Sequence, residues 1–168
     1  NKALSAILPD LLADGIQIIH ISGTLDWPRA EARRASLSEA DATHYHAFPY
    51  LHQEMGLAMA AADLVVSRAG ASTLGEFPVF GLPAILVPYP HAWLYQQVNA
   101  EYLASRGAAV IMKDEDMPRD LLTTVRGFFG DLARLGTMRA SAAALAQPDA
   151  AWTIGQELLR LSKSETKR

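Results

Sequence analysis

The stretch "SRAGASTLGE" at 67–76 gathers two glycines, an arginine, three small hydroxyl residues and one carboxylate directly behind the apolar run "ADLVV". Such a run reads as a buried strand, and a loop of side chains this small clears space instead of filling it. Gly70, between Ala69 and Ala71, lets a ligand approach the backbone closely, and amides at the start of the following helix can receive an anion or a sugar hydroxyl. Glu76 admits two readings. Thr73 and Glu76 have the spacing of a capping box, in which the carboxylate closes its own helix; alternatively the carboxylate faces the loop and accepts from a ligand. Neither G-x-G-x-x-G nor a Walker sequence is present, so dinucleotide and P-loop readings lose support.

A second polar loop lies in "VPYPHAWLYQQVNAEYL" at 87–103. Pro88 and Pro90 stiffen it, and His91, Tyr95, Gln96, Gln97 and Asn99 crowd neutral hydrogen-bonding groups near one helix start. That chemistry suits sugar hydroxyls; the plainer reading is a solvated helix face. Metal chemistry has less support. His44 and His46 share one face of a strand without a third ligand, so packed or solvent-facing histidines are expected there. Asp114, Glu115 and Asp116 read as a solvated turn entering a helix near Pro118, and no metal is expected. His20 lies inside an apolar run and is expected to be a hydrogen-bonded core residue, with His52 and His91 nearer the strand ends where a ligand would bind. The absence of cysteine excludes disulfides and thiolate chemistry and suits a reducing cytosol.

Positioning these loops requires a sheet. Leu4, Ile7, Leu8, Leu11 and Leu12 give a helical stripe ending at Gly15, and "IQIIHIS" (16–22) follows as a strand. "RAEARRASLSEAD" reads as one charged helix, and further strands are expected at 43–48, 63–67, 83–88 and 108–113, with helices between them. Strand and helix alternating with short links is the pattern of right-handed crossovers, giving an α/β fold with a Rossmann-like parallel sheet and helices on both faces. After Met117 only helices are expected, forming one domain over 1–162 with a polar tail at 163–168.

The bulk numbers set the outer limits. With 168 residues, half of them apolar, one core can be buried, and a net charge of -3 gives no global drive toward nucleic acid or anionic lipid. No apolar run approaches the ~20 residues of a membrane span. "NKALSAILPDLLADG" already reads as a helix with no strand or cap before it, as expected for half of a larger protein or a subunit that needs a partner.

Together, "ADLVVSRAGASTLGE" and "GLPAILVPYPHAWLYQQVNAEYLASRGAAV" resemble the donor-binding half of the MurG-type glycosyltransferases. Those enzymes add N-acetylglucosamine (GlcNAc) from UDP-GlcNAc to undecaprenyl-pyrophosphoryl-muramoyl-pentapeptide, completing lipid II for peptidoglycan. The resemblance implies a GT-B architecture, two Rossmann-like domains around a cleft, with this chain the C-terminal one. It implies that Glu76 accepts hydrogen bonds from both ribose hydroxyls, that Ala71 offers backbone to GlcNAc within the Gly70 loop, and that Thr73 sits near the phosphates. Gln96 would bind GlcNAc hydroxyls, Arg68 matches the family's loop arginine, and Asn99 its motif asparagine, a loop organiser. The uracil would lie near Leu51, with Met55 at the next helix start.

Two departures stand out: Tyr95 replaces a second polar residue found in many members, and the glycine-rich phosphate loop expected directly before Asn1 is missing with the acceptor domain and its catalytic histidine. The implied transfer is inverting and metal-independent, with no catalytic residue in this chain, so the chain alone should bind without turnover. The full-length protein would sit peripherally at the inner face of the bacterial plasma membrane, meeting its lipid-linked acceptor through the other domain, with no nucleic-acid partner. The rival expectations are the donor half of a diacylglycerol glycosyltransferase, a separately encoded half docking on a membrane-bound partner, and a free-standing UDP-sugar binding subunit. Trp27, Trp93 and Trp152 are candidates for core anchors, lipid contacts or an interface; a last helix that crosses toward the other domain favours a domain contact for Trp152.

Overall fold

The leucine stripe folds as α1 (Lys2–Ala13), burying Ile7, Leu8, Leu11 and Leu12. Gly15 takes a φ of 75°, which side chains resist, and turns the chain into β1 (Ile18–Ile21). The computed structural model describes residues 1–91 and 93–165, with the side chains of all but 93, 94 and 163–165. The Trp93 side chain and the last three residues of the expected tail therefore lie outside the described residues.

Every expected strand is present, and all pairs are parallel: β1 with β2 (Tyr45–Phe48), and β3 (Val65–Ser67) with β4 (Ala84–Leu86), which also pairs β5 (Ala109–Ile111). Among the described residues they form two sheets, β1-β2 and β3-β4-β5. The strands are shorter than their apolar runs. Residues 43 and 44, for instance, still close a helix, with Thr43 and His44 amides donating to Ala40 and Asp41 carbonyls.

The charged helix expected after Trp27 is two helices, α2 (Trp27–Ala35) and α3 (Glu39–Ala42). Serines cause the break: the Ser36 hydroxyl donates to the Arg33 carbonyl, and Ser38, in extended backbone, caps α3 by accepting from the Asp41 amide at 3.1 Å. The remaining helices are α4 (Met55–Ala61), α5 (Thr73–Val79), α6 (Trp93–Ala104), α7 (Met117–Phe129), α8 (Leu132–Ala143) and α9 (Ala150–Glu165), which takes in the first three residues of the expected tail.

Two cores flank β4. Ile85 and Val87 pack with α1, α7 and α8, whereas Ala84 and Leu86 face Phe77 of α5 and Ala100 and Leu103 of α6. That alternation gives the double covering expected of a parallel sheet. α9 differs from the rest, leaving Trp152, Ile154, Leu158, Leu159 and Leu161 exposed along it.

Candidate functional site

β3 and β4 end side by side, the Val87 amide donating to the Ser67 carbonyl at 2.8 Å, so their two loops emerge together. Arg68 binds the ends. Its guanidinium donates to the Val87 carbonyl (3.2 Å), pairs with Asp114 (2.5 Å) and lies 5.3 Å from the centre of the Tyr89 ring, tying the loops behind β3, β4 and β5. Ala69 is fully buried, and its carbonyl accepts from Asn99 Nδ2 of α6 at 3.0 Å. The buried Thr73 hydroxyl donates to the Gly70 carbonyl at 2.6 Å. Asn99 and Thr73 thus both serve the shape of the 68–72 loop.

The capping box does not form. α5 begins after Ser72, making Thr73 the first helical residue, and Glu76 falls one position beyond the place from which it could reach back to the cap. Its carboxylate makes no hydrogen bond or ion pair among the described residues and stands exposed on the wall of a cleft of about 490 Å³. Ala71, Ser72, Gly75, Val79 and Phe80 line the same cleft, and Gln147 and Pro148 close it from the turn between α8 and α9. The amides of Thr73 to Glu76 bond back to Gly70, Ala71 and Ser72, while those of Ala71 and Ser72 remain without an acceptor among the described residues.

Gly70 and Gly75 are informative because the fold does not require them. A Cβ at either would meet nothing within 4 Å, and neither has a positive φ. Gly75 even costs its helix about 0.5–1 kcal/mol relative to alanine. Gly75, on the cleft wall, leaves space there that a side chain would fill.

In the second loop, Gln96 Oε1 accepts from the Tyr89 amide at 2.8 Å, which leaves the Gln96 NH2 group to donate outward. Gln97 instead bonds Glu101 along its own helix at 2.8 Å, and Tyr95 is 77% exposed. His91 is exposed beside Tyr89, their ring centres 5.5 Å apart. Leu51 is buried and Met55 opens α4, with the His52 ring between them in sequence packed on Tyr50. The cleft brings Ala71 and Glu76 together; Leu51, Met55, Thr73 and Gln96 lie outside its lining. Sequence reasoning missed Gln147 and Pro148, whose only signal was a Gln-Pro-Asp turn between alanine-rich helices.

Elsewhere, His20 is a core residue as expected. Asn1 Nδ2 donates to the Ser22 carbonyl (2.8 Å) and to Asp26 (2.6 Å), so Asn1 Oδ1 is the atom that meets His20 Nε2 at 2.9 Å. His20 therefore carries its proton on Nε2 and accepts from the Tyr45 hydroxyl at Nδ1, 2.7 Å away. Burial holds the imidazole pKa below its ordinary value and raises that of Tyr45. Among the described residues, no group of three or more His, Asp or Glu side chains is placed to hold a metal, and no helix is long and apolar enough to cross a membrane.

Residues 1–154 match the glycosyltransferase family 28 C-terminal domain. The chain belongs to that family. It is 38% identical over 166 residues to the UDP-N-acetylglucosamine--N-acetylmuramyl-(pentapeptide) pyrophosphoryl-undecaprenol N-acetylglucosamine transferase of Nitratidesulfovibrio vulgaris, covering 98% of this chain and 44% of the relative. The enzyme of the same name from Mycolicibacterium smegmatis is 37% identical over 172 residues, covering 100% of this chain and 42% of its own. The crystal structure of Acinetobacter baumannii MurG superposes with a TM-score of 0.74 at 30% identity, over 95% of this chain and 46% of that one. The expected α/β fold, a Rossmann-like parallel sheet in the C-terminal half of a GT-B glycosyltransferase, is thereby established, and the chain spans a little under half the length of these relatives.

Proposed function

We propose that this chain is the donor half of a transferase that moves GlcNAc from UDP-GlcNAc onto undecaprenyl-pyrophosphoryl-MurNAc-pentapeptide. The observation that carries the reading is Glu76, a carboxylate without a hydrogen-bond or ion-pair partner among the described residues, on a cleft at the carboxyl end of β3. A carboxylate accepts from two neighbouring hydroxyls at once, which fits a ribose diol. Relatives named for this transfer, matched along nearly the whole chain, supply the donor and acceptor.

In this reading the Ala71 and Ser72 amides face the sugar and diphosphate, the Gln96 NH2 group donates to a GlcNAc hydroxyl, and uracil rests near Leu51 and Met55. Thr73, Asn99 and Arg68 act by holding the loops, as their bonds to Gly70, Ala69 and Val87 suit them to do. The acceptor hydroxyl attacks the anomeric carbon as the bond to the diphosphate oxygen breaks, and its proton passes to a base on the other domain of the full-length enzyme. Fixed amides, without a metal, stabilise the charge that builds on the leaving diphosphate.

The test is calorimetric titration of the full-length enzyme with UDP-GlcNAc, UDP-glucose and UDP, with and without a chelator. Hydrogen bonds to a charged group contribute about 1.5–3 kcal/mol each, so Glu76→Ala is expected to weaken UDP at least 10-fold. GlcNAc preference should survive that substitution and fall with Gln96→Ala, and the chelator should change nothing. Unchanged UDP affinity in Glu76→Ala would refute the reading, and a preference for UDP-glucose would favour the diacylglycerol transferase.

A further inference from the structure

Pro88, Tyr89 and Pro90 form the stiffest part of the second loop. Each proline fixes its own φ, and Tyr89, directly before Pro90, is kept out of helical backbone. A residue held this way passes any displacement of its ring on to its amide. That amide has a task, since it donates to Gln96 Oε1 at 2.8 Å. A carboxamide whose oxygen is engaged can turn only its NH2 group outward, so the Tyr89 amide decides which end of Gln96 faces a ligand.

The ring is gripped from the first loop. The Arg68 guanidinium lies 5.3 Å from its centre, and Arg68 is itself fixed to the Val87 carbonyl and to Asp114. His91 meets the ring edge-on, with 74° between the planes. The Tyr89 hydroxyl makes no hydrogen bond among the described residues, and the residue remains 46% exposed. Neither core packing nor a hydroxyl partner therefore accounts for an aromatic residue at this position; the contact with Arg68 does.

We propose that Tyr89 is a positioning residue for the sugar of the donor: its ring, stacked on Arg68, holds its amide in the place from which it fixes Gln96 as a one-way donor. The role rests on the reading of Gln96 as a sugar contact. It separates sugar binding from nucleotide binding. Glu76 belongs to α5, and the 68–72 loop is shaped by Thr73, Asn99 and the two other ties of Arg68, all of which survive loss of the ring. Without the ring the Tyr89 amide shifts and the Gln96 carboxamide is free to turn over, presenting oxygen as readily as nitrogen to an oxygen of the sugar. The contacts to UDP stay as they were.

The test is calorimetric titration of the full-length enzyme with UDP and with UDP-GlcNAc, the readout being the ratio of the two dissociation constants, which isolates the sugar's share. Tyr89→Phe, Tyr89→Leu, Gln96→Ala and the double variant Tyr89→Leu/Gln96→Ala are compared, each below its melting transition. Phenylalanine keeps the ring and should keep the wild-type ratio. Leucine should reduce the sugar's share about 2- to 10-fold, the range for one neutral hydrogen bond, at unchanged UDP affinity. The double variant should lose no more than Gln96→Ala alone, because Tyr89 acts through Gln96. A wild-type ratio in Tyr89→Leu beside a reduced one in Gln96→Ala would overturn the positioning role and leave the sugar contact standing. Equal weakening of UDP and UDP-GlcNAc in Tyr89→Leu would overturn it in favour of general support of the loops, and a ratio indifferent to Gln96→Ala would overturn the role and the sugar contact together.

Discussion

Asn99→Ala separates a residue that shapes the site from one that touches the ligand. Asn99 Nδ2 gives its hydrogen bond to the carbonyl of Ala69, a residue with 0% exposure. Alanine at 99 leaves that carbonyl buried without a donor, a loss of about 1–3 kcal/mol. At 1.4 kcal/mol per decade, the folding equilibrium constant falls by roughly 5- to 150-fold. For a chain of 168 residues the melting temperature should drop about 2–4 °C for each kcal/mol. Urea unfolding is the assay, because a shifted midpoint at unchanged slope isolates stability from changes in compactness. Asn99→Asp serves as the partner variant: its carboxylate meets the Ala69 carbonyl with no proton to give, so it should be at least as destabilising at neutral pH. Nucleotide binding, measured under conditions where both variants are folded, should weaken less than in Glu76→Ala. Undiminished stability together with abolished binding would refute the argument and make Asn99 a direct ligand contact.

Gly75→Ala should raise the melting temperature, since a Cβ there meets nothing within 4 Å and alanine favours the helix by about 0.5–1 kcal/mol, while UDP-GlcNAc affinity falls as the methyl enters the cleft. Higher stability with unchanged affinity would show that the ligand does not pass Gly75. Arg68→Met loses the Val87 and Asp114 ties at once; the ion pair is 45% and 39% exposed and contributes at most about 1 kcal/mol, so thermal stability should change little while calorimetry finds weaker binding from looser loops. His20 gives a pH signature. Its folded pKa lies below the unfolded value of 6.5, so the folded state binds fewer protons; the contribution is complete above pH 6.5 and is lost as pH falls through the lowered folded value. Denaturant titrations from pH 7 to 5 should show stability falling at up to about 1.4 kcal/mol per pH unit, and His20→Gln should flatten that slope.

What the sequence made legible follows from how local each signal was. The five strands were readable because parallel strands buried on both faces are short apolar runs between turn residues, and the 67–72 loop was readable as a loop because glycine and small hydroxyl residues end the apolar run before it. The break at Ser36 and Ser38 was hidden because helical periodicity continues through it, and only the serines' competition for backbone groups divides the helix. Spacing alone left Glu76 between cap and ligand. Its role turns on where α5 starts, a one-residue matter that sequence patterns resolve poorly: a start one residue later would make Thr73 the cap and bring Glu76 within reach of it. Gln147 and Pro148 were out of reach for a different reason, since their place beside Glu76 depends on how α8 packs against α5, a contact between segments about sixty residues apart in sequence.

The same distinction explains why the divided sheet matters for function. Every tie that shapes the 68–72 loop, from Thr73, Asn99 and Arg68, comes from the β3-β4-β5 side of the molecule. α1 reaches the β1-β2 side through Leu8 and Leu12, so the two halves already share a core although their backbones do not pair. Core contacts set distance loosely, whereas a hydrogen-bonded strand sets it to about 4.8 Å per step. Leu51 and Met55 follow β2, while Ala71 and Glu76 follow β3. A ligand that touches both groups therefore depends on the spacing between β1-β2 and β3-β4-β5, which α1 sets by packing against both.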